Sequence, residues 1–203
     1  MSSTRLPAIE RREQILACAL EVFARSGFHG ASMNDVAEAA GVTKPVLYQH
    51  FDSKQELFTA LLDEVGHRMH TAITAATSVE SDGRSQTVAW FRAYFRWVAD
   101  DHDGFRLLFG GTARHEDAYS DGVRRITSEV ATAIIPLIAV DMPDEHRRTV
   151  AHGIVGLAEG VSRRLIDHGD DFDPDVIATV VAGLAWGGLR SIDQSSPVGA
   201  DAL

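Results

Sequence analysis

Residues 32–57 have the sequence SMNDVAEAAGVTKPVLYQHFDSKQEL, in which several helix starts follow one another closely. Ser32 and Asp35 have the spacing of a capping box, in which a hydroxyl and a carboxylate each accept a hydrogen bond from the other residue's backbone N–H. Gly41 tolerates a left-handed backbone and is suited to end that helix. Thr43, with a proline two residues later, predicts the start of a second helix. Two short helices joined by a tight turn indicate a helix-turn-helix.

The second of these helices is predicted to hold one polar side out toward solvent. Leu47 and Phe51 lie four residues apart and are expected to face inward. In helix-turn-helix proteins, a helix held in this way enters the major groove of DNA. The side chains left facing the groove are Thr43, Lys44, Pro45, Tyr48 and Gln49, with His50 at the rim. We expect Lys44 to contact guanine, and Thr43 to contact a thymine methyl group or a phosphate.

A second capping-box pattern follows directly. Ser53 and Glu56 have the required spacing and predict the start of a long third helix. Lys54 lies in its first turn, where free backbone N–H groups and the positive end of the helix dipole attract anions. We therefore expect Lys54 to contact a phosphate group.

Composition restricts the possible classes of protein. The 203 residues contain one cysteine, Cys18, so an internal disulfide is excluded, which fits a cytoplasmic location. No apolar run approaches the roughly 20 residues of a membrane-spanning helix, so no membrane partner is expected. The net charge is −10, but residues 1–56 hold six basic and seven acidic residues, so most of the negative charge lies further along the chain. This distribution excludes a general DNA-coating protein while permitting a sequence-specific one.

The apolar periodicity predicts an all-α fold of about nine helices. The first domain is expected to cover residues 1–52, a second helical domain residues 53–192, and a disordered tail residues 193–203. The predicted helices span about residues 7–26, 32–41, 43–50, 53–76, 86–100, 104–109, 117–139, 143–168 and 173–190. Glycines at 27 and at 110–111 are expected to end helices, and Pro136 is expected to strain or end the seventh.

The first quarter of the chain also carries a family pattern. Its members are Phe28, Gly30, Ser32, Asp35-Val36-Ala37, Ala40-Gly41-Val42, Leu47-Tyr48, His50-Phe51 and Ser53-Lys54. Together these residues resemble the DNA-binding domain of TetR-family transcriptional regulators over roughly residues 9–58. The resemblance implies that Tyr48 and His50 donate hydrogen bonds to phosphate oxygens, and that Ser32 and Lys54 belong to the same DNA-contacting set. The chain departs from the family at Ala31, where a hydroxyl residue is usual.

The last two predicted helices are rich in glycine and alanine. A glycine inside a helix costs about 0.5–1 kcal/mol, so many of them imply a compensating close approach of backbones. The family resemblance implies that these helices form a four-helix bundle in a homodimer on a palindromic operator. The residues assigned to this interface are Gly153, Gly156, Leu157, Gly160, Val181, Leu184 and Trp186. The alternative is a tightly packed core within one subunit.

The predicted helix over residues 86–100 carries aromatic residues on two sides. Such a set forms an ordinary core or borders a cavity. The resemblance places an effector here, with Trp90, Phe91, Tyr94, Phe95, Phe105, Arg106 and Phe109 as the expected binding residues. Residues 44–51, 104–109 and 184–189 are similar to actinobacterial regulators of fatty-acid synthesis. That similarity implies a small hydrophobic effector such as a long-chain acyl-CoA or fatty acid, in an apolar tunnel with Arg106 near its polar end.

The sequence also permits other interpretations. A regulator of the same fold that responds to hydrophobic drugs or antibiotics would carry the same DNA-binding pattern. A helical scaffold that does not bind DNA is the alternative from another class. Asp63, His67 and His70 share a helix face, but a solvated polar face explains them without a metal. No nucleophile and base have a useful spacing, so neither an enzyme nor a cofactor is expected.

Overall fold

The computed structural model describes residues 7–109, 117–138, 140–169 and 172–194. Within these ranges the chain forms nine α-helices and one short 3₁₀ turn at Ile135–Leu137, and contains no strand. The helices are α1 (Ala8–Gly30), α2 (Met33–Ala39), α3 (Lys44–Tyr48), α4 (Lys54–Thr77), α5 (Gly83–Asp100), α6 (His102–Phe109), α7 (Asp117–Ile134), α8 (Asp144–His168) and α9 (Pro174–Gln194). The all-α prediction is confirmed.

Glycines set two of the turns around the helix-turn-helix. Gly27 has φ 66° and ψ 174°, so the regular part of α1 ends there, as predicted, and one further helical turn follows. Gly41 has φ 63° and lies between α2 and α3. Side chains other than glycine rarely adopt this left-handed region. The turn before the first short helix and the turn between the two are therefore specified by glycines in the sequence.

Side-chain caps start α2 and α4. The backbone N–H of Asp35 donates to Ser32 Oγ (3.2 Å), and the Ser32 N–H donates to Asp35 Oδ2 (2.8 Å), which completes the predicted capping box. At α4 the Glu56 N–H donates to Ser53 Oγ (3.1 Å), but the Glu56 carboxylate accepts from the N–H of Asp52 (2.6 Å). The second box is thus wider by one residue than the pattern predicts.

The chain divides into two compact units. Unit 1 consists of residues 1–67 and 101–124, and unit 2 of residues 68–100 and 125–203. In unit 1, α6 packs on α1; in unit 2, α5 packs along α9 and against α8. Helices α4 and α7 each contribute to both units. This division follows packing, and the functional boundary placed after residue 52 stays a prediction.

An aromatic cluster forms part of the interior of unit 1. The Phe58 ring from α4 lies edge-on to Phe23 (centroids 5.0 Å apart) and to Phe28 (4.9 Å) from α1. Leu47 and Phe51 are also buried, as their spacing predicts. The short α3 therefore packs into unit 1 by its inner face, and it contacts α2.

Three helix ends differ from the prediction or extend beyond it. Helix α5 begins at Gly83, three residues early, because Asp82 Oδ1 accepts from the N–H groups of Arg84 and Ser85 (both 3.0 Å). Helix α7 ends at Ile134, and Pro136 lies in the 3₁₀ turn that follows.

Helix α9 continues to Gln194, so the first two residues of the predicted tail are helical. The remainder of that tail and Gly110-Gly111 lie outside the described residues.

Helix α9 also corrects the expectation that no segment is long and apolar enough to cross a membrane. By length and composition alone, Pro174–Ile192 could do so, and 28% of it is buried in the chain. This helix contains many small residues, so its sequence shows no continuous run of bulky apolar side chains. A single helix of this kind is weak support for a membrane span, because a helix covered by a second subunit has the same composition.

Candidate nucleic-acid interface and aromatic core

Helix α3 presents its polar side chains on one exposed face. Thr43, Lys44, Pro45 and Gln49 are exposed, Tyr48 is 46% exposed, and His50 is half-buried at the end of the helix. On the opposite side, Leu47 and Phe51 are almost completely buried. Of the eight side chains predicted to contact DNA, the six at α3 thus lie at solvent-accessible positions, and their contact with DNA stays a prediction.

A concave surface lies beside this face. It encloses about 550 Å³ and is lined by Ala8 and Arg11 of α1, the turn at Gly41 and Val42, and Thr43, Val46, Gln49 and His50. Gln14 links its walls: its amide donates to the carbonyl of Ala40 (3.2 Å) and its Oε1 accepts from Arg11 (2.6 Å). Arg11 is thus held next to α3, a placement that requires the tertiary fold.

Lys54 has structural partners that the sequence does not reveal. Its ammonium donates to the carbonyls of Phe28 (2.7 Å) and Ala31 (3.1 Å), and it lies 4.3 Å from the centre of the Phe28 ring. These carbonyls lie at the C-terminal end of α1, where the helix dipole favours a cation. Two of its three N–H donors are therefore directed at α1, which leaves one for the predicted phosphate contact.

Ser32 is exposed, but its hydroxyl is shared with the cap of α2. It accepts from the Asp35 N–H and donates to Asp35 Oδ2 (2.8 Å). The hydrogen bonds that the Ser32 hydroxyl and backbone N–H donate to the carboxylate lower the pKa of Asp35. The carboxylate is therefore charged at neutral pH and fixed at the start of α2.

The expected effector residues are divided between the two units. In unit 2, α5 contributes a continuous stack: Trp90 lies 5.4 Å from Tyr94 with nearly parallel rings, and Phe91 lies 6.2 Å from Phe95. In unit 1, the rings of Phe105 and Phe109 on α6 are 5.2 Å apart. All six rings are buried.

Arg106 is exposed and pairs with Asp103 (3.6 Å). Its predicted place near the polar end of a tunnel therefore stays a prediction.

Several polar atoms in the aromatic core of unit 2 have no hydrogen-bond partner among the described residues. They are Nε1 of Trp90, the hydroxyl of Tyr94, Nε1 of Trp97 and Oγ of Ser162 on α8. Burial raises the pKa of Tyr94, so this hydroxyl stays protonated at neutral pH. The side chains of this core are thus mainly aromatic, but they also supply hydrogen-bond donors.

An ion-pair group joins α5 to α9 at the surface of unit 2. Arg96 binds Asp175 through two hydrogen bonds (2.9 and 2.7 Å), and Arg92 Nε lies 3.5 Å from the same carboxylate. The hydrogen bond to Arg96 and the charges of both arginines lower the pKa of Asp175. The same two arginines border a groove of about 410 Å³ that Trp97 and Glu80 also line.

Helices α8 and α9 expose most of the residues assigned to the dimer interface. Gly153, Gly156 and Gly160 are exposed, and apart from the adjoining helix backbone no described atom lies within 4 Å of where a Cβ would stand. Leu184 is 66% exposed, whereas Leu157 and Trp186 are half-buried.

Val181, also assigned to that interface, is buried in the interior of its own chain, with 6% exposed. The neighbouring Val180, which was not assigned, is 67% exposed. At this point the outward-facing residue of α9 is therefore Val180, one residue before the predicted Val181.

The acidic and histidine residues that share a face of α4 are open to solvent. Asp63, His67 and His70 are all exposed. Within the described ranges of the chain, no group of three or more histidine, cysteine or acidic side chains could hold a metal ion.

Comparison with known proteins adds independent observations. A family model described as bacterial regulatory proteins, tetR family, matches residues 15–61. The chain is 35% identical to the HTH-type transcriptional activator FasR of Mycolicibacterium smegmatis over 190 residues. This match covers 93% of this chain and 87% of FasR.

Solved structures share the fold. A TetR-like transcriptional regulator from Rhodococcus sp. RHA1 has a TM-score of 0.78 at 27% identity, covering 92% of this chain and 99% of that one. FadR from Bacillus subtilis, solved in complex with stearoyl-CoA, has a TM-score of 0.75 at 16% identity, covering 87% of this chain and 98% of that one. At 16% identity the likeness concerns the fold alone.

A helix-turn-helix with an exposed second helix, attached to a larger helical body, defines a DNA-binding transcriptional regulator. The identity to FasR along nearly the whole chain narrows this class. The chain belongs to the TetR family of bacterial regulators.

Proposed function

We propose that this protein is a cytoplasmic, non-enzymatic homodimer that binds a palindromic operator and releases or engages it when a long-chain acyl-CoA or fatty acid binds. The observation that carries the DNA-binding part is the exposed face of α3, built on the buried Leu47 and Phe51. Lys44 and Thr43 would contact base edges, and Tyr48, His50 and Arg11 would contact phosphates. Base contacts determine sequence preference, whereas phosphate contacts determine register and salt dependence.

The dimer is supported by the outward faces of α8 and α9. Exposed glycines destabilise a helix, and at Gly153, Gly156 and Gly160 no other described part of the chain occupies the space that a side chain would take. Val180 and Leu184 add exposed apolar surface to α9. A second copy would compensate for both costs, and two-fold dimers are the commonest oligomers.

The acyl effector is supported by two likenesses and one structural feature. FadR of Bacillus subtilis, which shares the fold, was solved with stearoyl-CoA, and three segments of this chain are similar to actinobacterial regulators of fatty-acid synthesis. The structural feature is the aromatic core of unit 2, which combines buried rings with unpartnered donors. A ligand bound there would shift the protein between two states only as far as its affinities for those states differ.

DNA binding is tested with a duplex selected from a random library by the wild-type protein. Lys44→Ala is expected to weaken binding by about 1–3 kcal/mol and to relax sequence preference at one position. Tyr48→Phe should weaken binding equally for all sequences. Arg84→Ala, at an exposed site on α5, is the matched control and should bind as the wild type does. Undiminished binding by both α3 variants would contradict the proposal.

Assembly is tested by sedimentation of the wild type and of Gly156→Leu. The wild type should have twice the mass of one chain, and the variant should dissociate because its new side chain fills the space of the partner helix. Gly169→Asn, at a left-handed C-terminal residue that asparagine tolerates, is the control and should remain dimeric. A monomeric wild type would contradict the bundle.

The effector class is tested by native mass spectrometry with acyl-CoAs, fatty acids and hydrophobic drugs, followed by anisotropy with the selected duplex. An acyl-CoA-dependent change in DNA affinity supports the proposal. A response to drugs alone favours the drug-responsive alternative. Binding of neither DNA nor ligands would favour the scaffold.

A further inference from the structure

Four hydrogen-bonding side chains lie together in the interior of unit 2 without matching acceptors. Trp90, Tyr94 and Trp97 recur at helical spacing on α5, so they share a face, and Ser162 on α8 is the polar neighbour of the Tyr94 hydroxyl. At most 7% of each residue is exposed. The Ser162 hydroxyl is near enough to act on Tyr94 as a hydrogen-bonding neighbour that lowers its pKa, but the two hydroxyls lack full hydrogen-bonding geometry. Neither indole N–H has a partner in such geometry among the described residues.

This arrangement is costly for a core. A buried polar group without a partner costs about 1–3 kcal/mol, and native proteins contain few of them. The same helix uses Phe91 and Phe95 where only a ring is needed, so phenylalanine is an available replacement at Tyr94. Retention of several such donors at one place indicates that they serve a bound group.

The chemistry of these side chains defines that group. The indole N–H can only donate, and each hydroxyl has one hydrogen to donate. If the two hydroxyls shared one hydrogen bond, one O–H and two N–H donors would still be without acceptors. The complementary ligand atom is therefore an oxygen acceptor.

The surrounding charges favour a neutral oxygen. The charged groups that act on Tyr94 are Glu159 and Arg163, which pair with each other on α8. A buried carboxylate requires a cation of its own, whereas a thioester carbonyl needs donors only. Trp90 also borders an apolar cavity of about 20 Å³, lined with Phe91 and isoleucine and leucine side chains. A water molecule needs about 10–15 Å³ of such space, so this cavity holds roughly one water, and an alkyl chain would enter by displacing the lining side chains.

We propose that the hydroxyls of Tyr94 and Ser162, flanked by the indoles of Trp90 and Trp97, bind the thioester carbonyl oxygen of the acyl effector. This assignment rests on the proposed function, because it concerns the effector named there. It gives the effector site a polar specificity element within an otherwise apolar core. It also distinguishes acyl thioesters from ligands that are only hydrophobic.

The test compares two ligands that differ in this oxygen alone. Palmitoyl-CoA carries the carbonyl, and the thioether S-hexadecyl-CoA has a methylene group in its place. By calorimetry, the wild type should prefer the thioester by about three- to tenfold, the range that corresponds to a neutral hydrogen bond. Tyr94→Phe and Ser162→Ala should reduce this preference by weakening thioester binding alone. Palmitate, whose carboxylate lacks a cation here, should bind more weakly than palmitoyl-CoA.

Two controls separate a hydrogen bond from a general disturbance. Ser78→Ala removes an exposed hydroxyl that donates to the Ala75 carbonyl (3.1 Å), and it should keep the full preference. The infrared carbonyl stretch of palmitoyl-CoA labelled at its carbonyl carbon should lie lower in the wild-type complex than in the Tyr94→Phe complex. Melting of the ligand-free variants verifies that both are folded.

Two negative results have different meanings. Suppose that the wild type binds palmitoyl-CoA and that both variants still prefer palmitoyl-CoA over the thioether as strongly as the wild type does. The carbonyl assignment is then overturned, and the proposed acyl effector stands. If the wild type binds operator DNA but neither CoA ligand, the proposed effector class fails together with this assignment.

Discussion

In unit 1, the polar groups that shape the helix-turn-helix are paired with near neighbours, whereas in the interior of unit 2 several polar groups have no partner among the described residues. Ser32 and Asp35 exchange hydrogen bonds across three residues. Tyr94 and Ser162 come from different helices and make no such exchange. The difference indicates that the DNA-binding region is fixed by the chain itself, while the interior of unit 2 is suited to gain interactions from a ligand.

The largest expected effect tests the rigidity of the DNA-binding region. Leu47→Ala should lower the free energy of unfolding by about 2–5 kcal/mol and abolish specific DNA binding, because the inner face of α3 loses its main contact. Chemical unfolding and fluorescence anisotropy measure the two effects. Val46→Ala, at the half-buried neighbouring position, is the control with a smaller loss. Wild-type stability in Leu47→Ala would show that unit 1 does not depend on the buried inner face of α3.

The next effect has the opposite sign and concerns unit 2. Ser162→Ala should raise the free energy of unfolding of the ligand-free protein by about 1 kcal/mol, because it removes a buried hydroxyl that lacks a partner. Ser78→Ala should change it by less than about 0.5 kcal/mol, as exposed substitutions usually do. Urea unfolding measures both. A loss of stability in Ser162→Ala would mean that this hydroxyl is satisfied and that the two units do not differ in this respect.

A third prediction concerns unit 1 and a smaller loss of stability. Ser32→Ala should destabilise the protein by about 1 kcal/mol, because the N-cap of α2 loses its acceptor. Ser32→Asn keeps a capping oxygen and should restore most of the stability. Thermal melting compares the three proteins. Equal melting of all three would show that α2 does not depend on its capping box.

The smallest effect is a pH dependence in unit 2. The paired arginines lower the pKa of Asp175, so its stabilising contribution is present above the ordinary aspartate pKa of about 3.9 and is lost as the pH falls through the lowered value. The difference in melting temperature between the wild type and Asp175→Asn should therefore be constant near neutral pH and disappear in acid. Added salt should also reduce it. A difference that grows in acid would contradict the assigned ion pair.

Sequence patterns identified features that depend on neighbouring residues. The capping box of α2, the left-handed glycines at 27 and 41, and the inward side of α3 all follow from spacings of a few residues, and each is present in the structure. The exposure of residues in and beside α3 follows from the same short spacings. What these residues bind stays a prediction supported by the family.

Features that depend on distant residues were missed or misplaced. The carbonyl partners of Lys54 lie 23 and 26 residues earlier, and no local spacing indicates them. Val181 was assigned to the dimer interface, and only its packing distinguishes it from Val180. Asp82 was an available signal, since an aspartate before a helix is a common N-cap, but the loop composition around it obscured the start of α5.

The uncovered apolar face of α9 has a consequence for how the protein responds to its own abundance. If a second copy covers Val180 and Leu184, assembly and folding are linked, so dilution lowers the apparent stability of each chain. The melting temperature would then rise with protein concentration, and operator occupancy would rise more steeply than for a preformed dimer. A cell could therefore adjust the output of this regulator through its copy number as well as through its ligand.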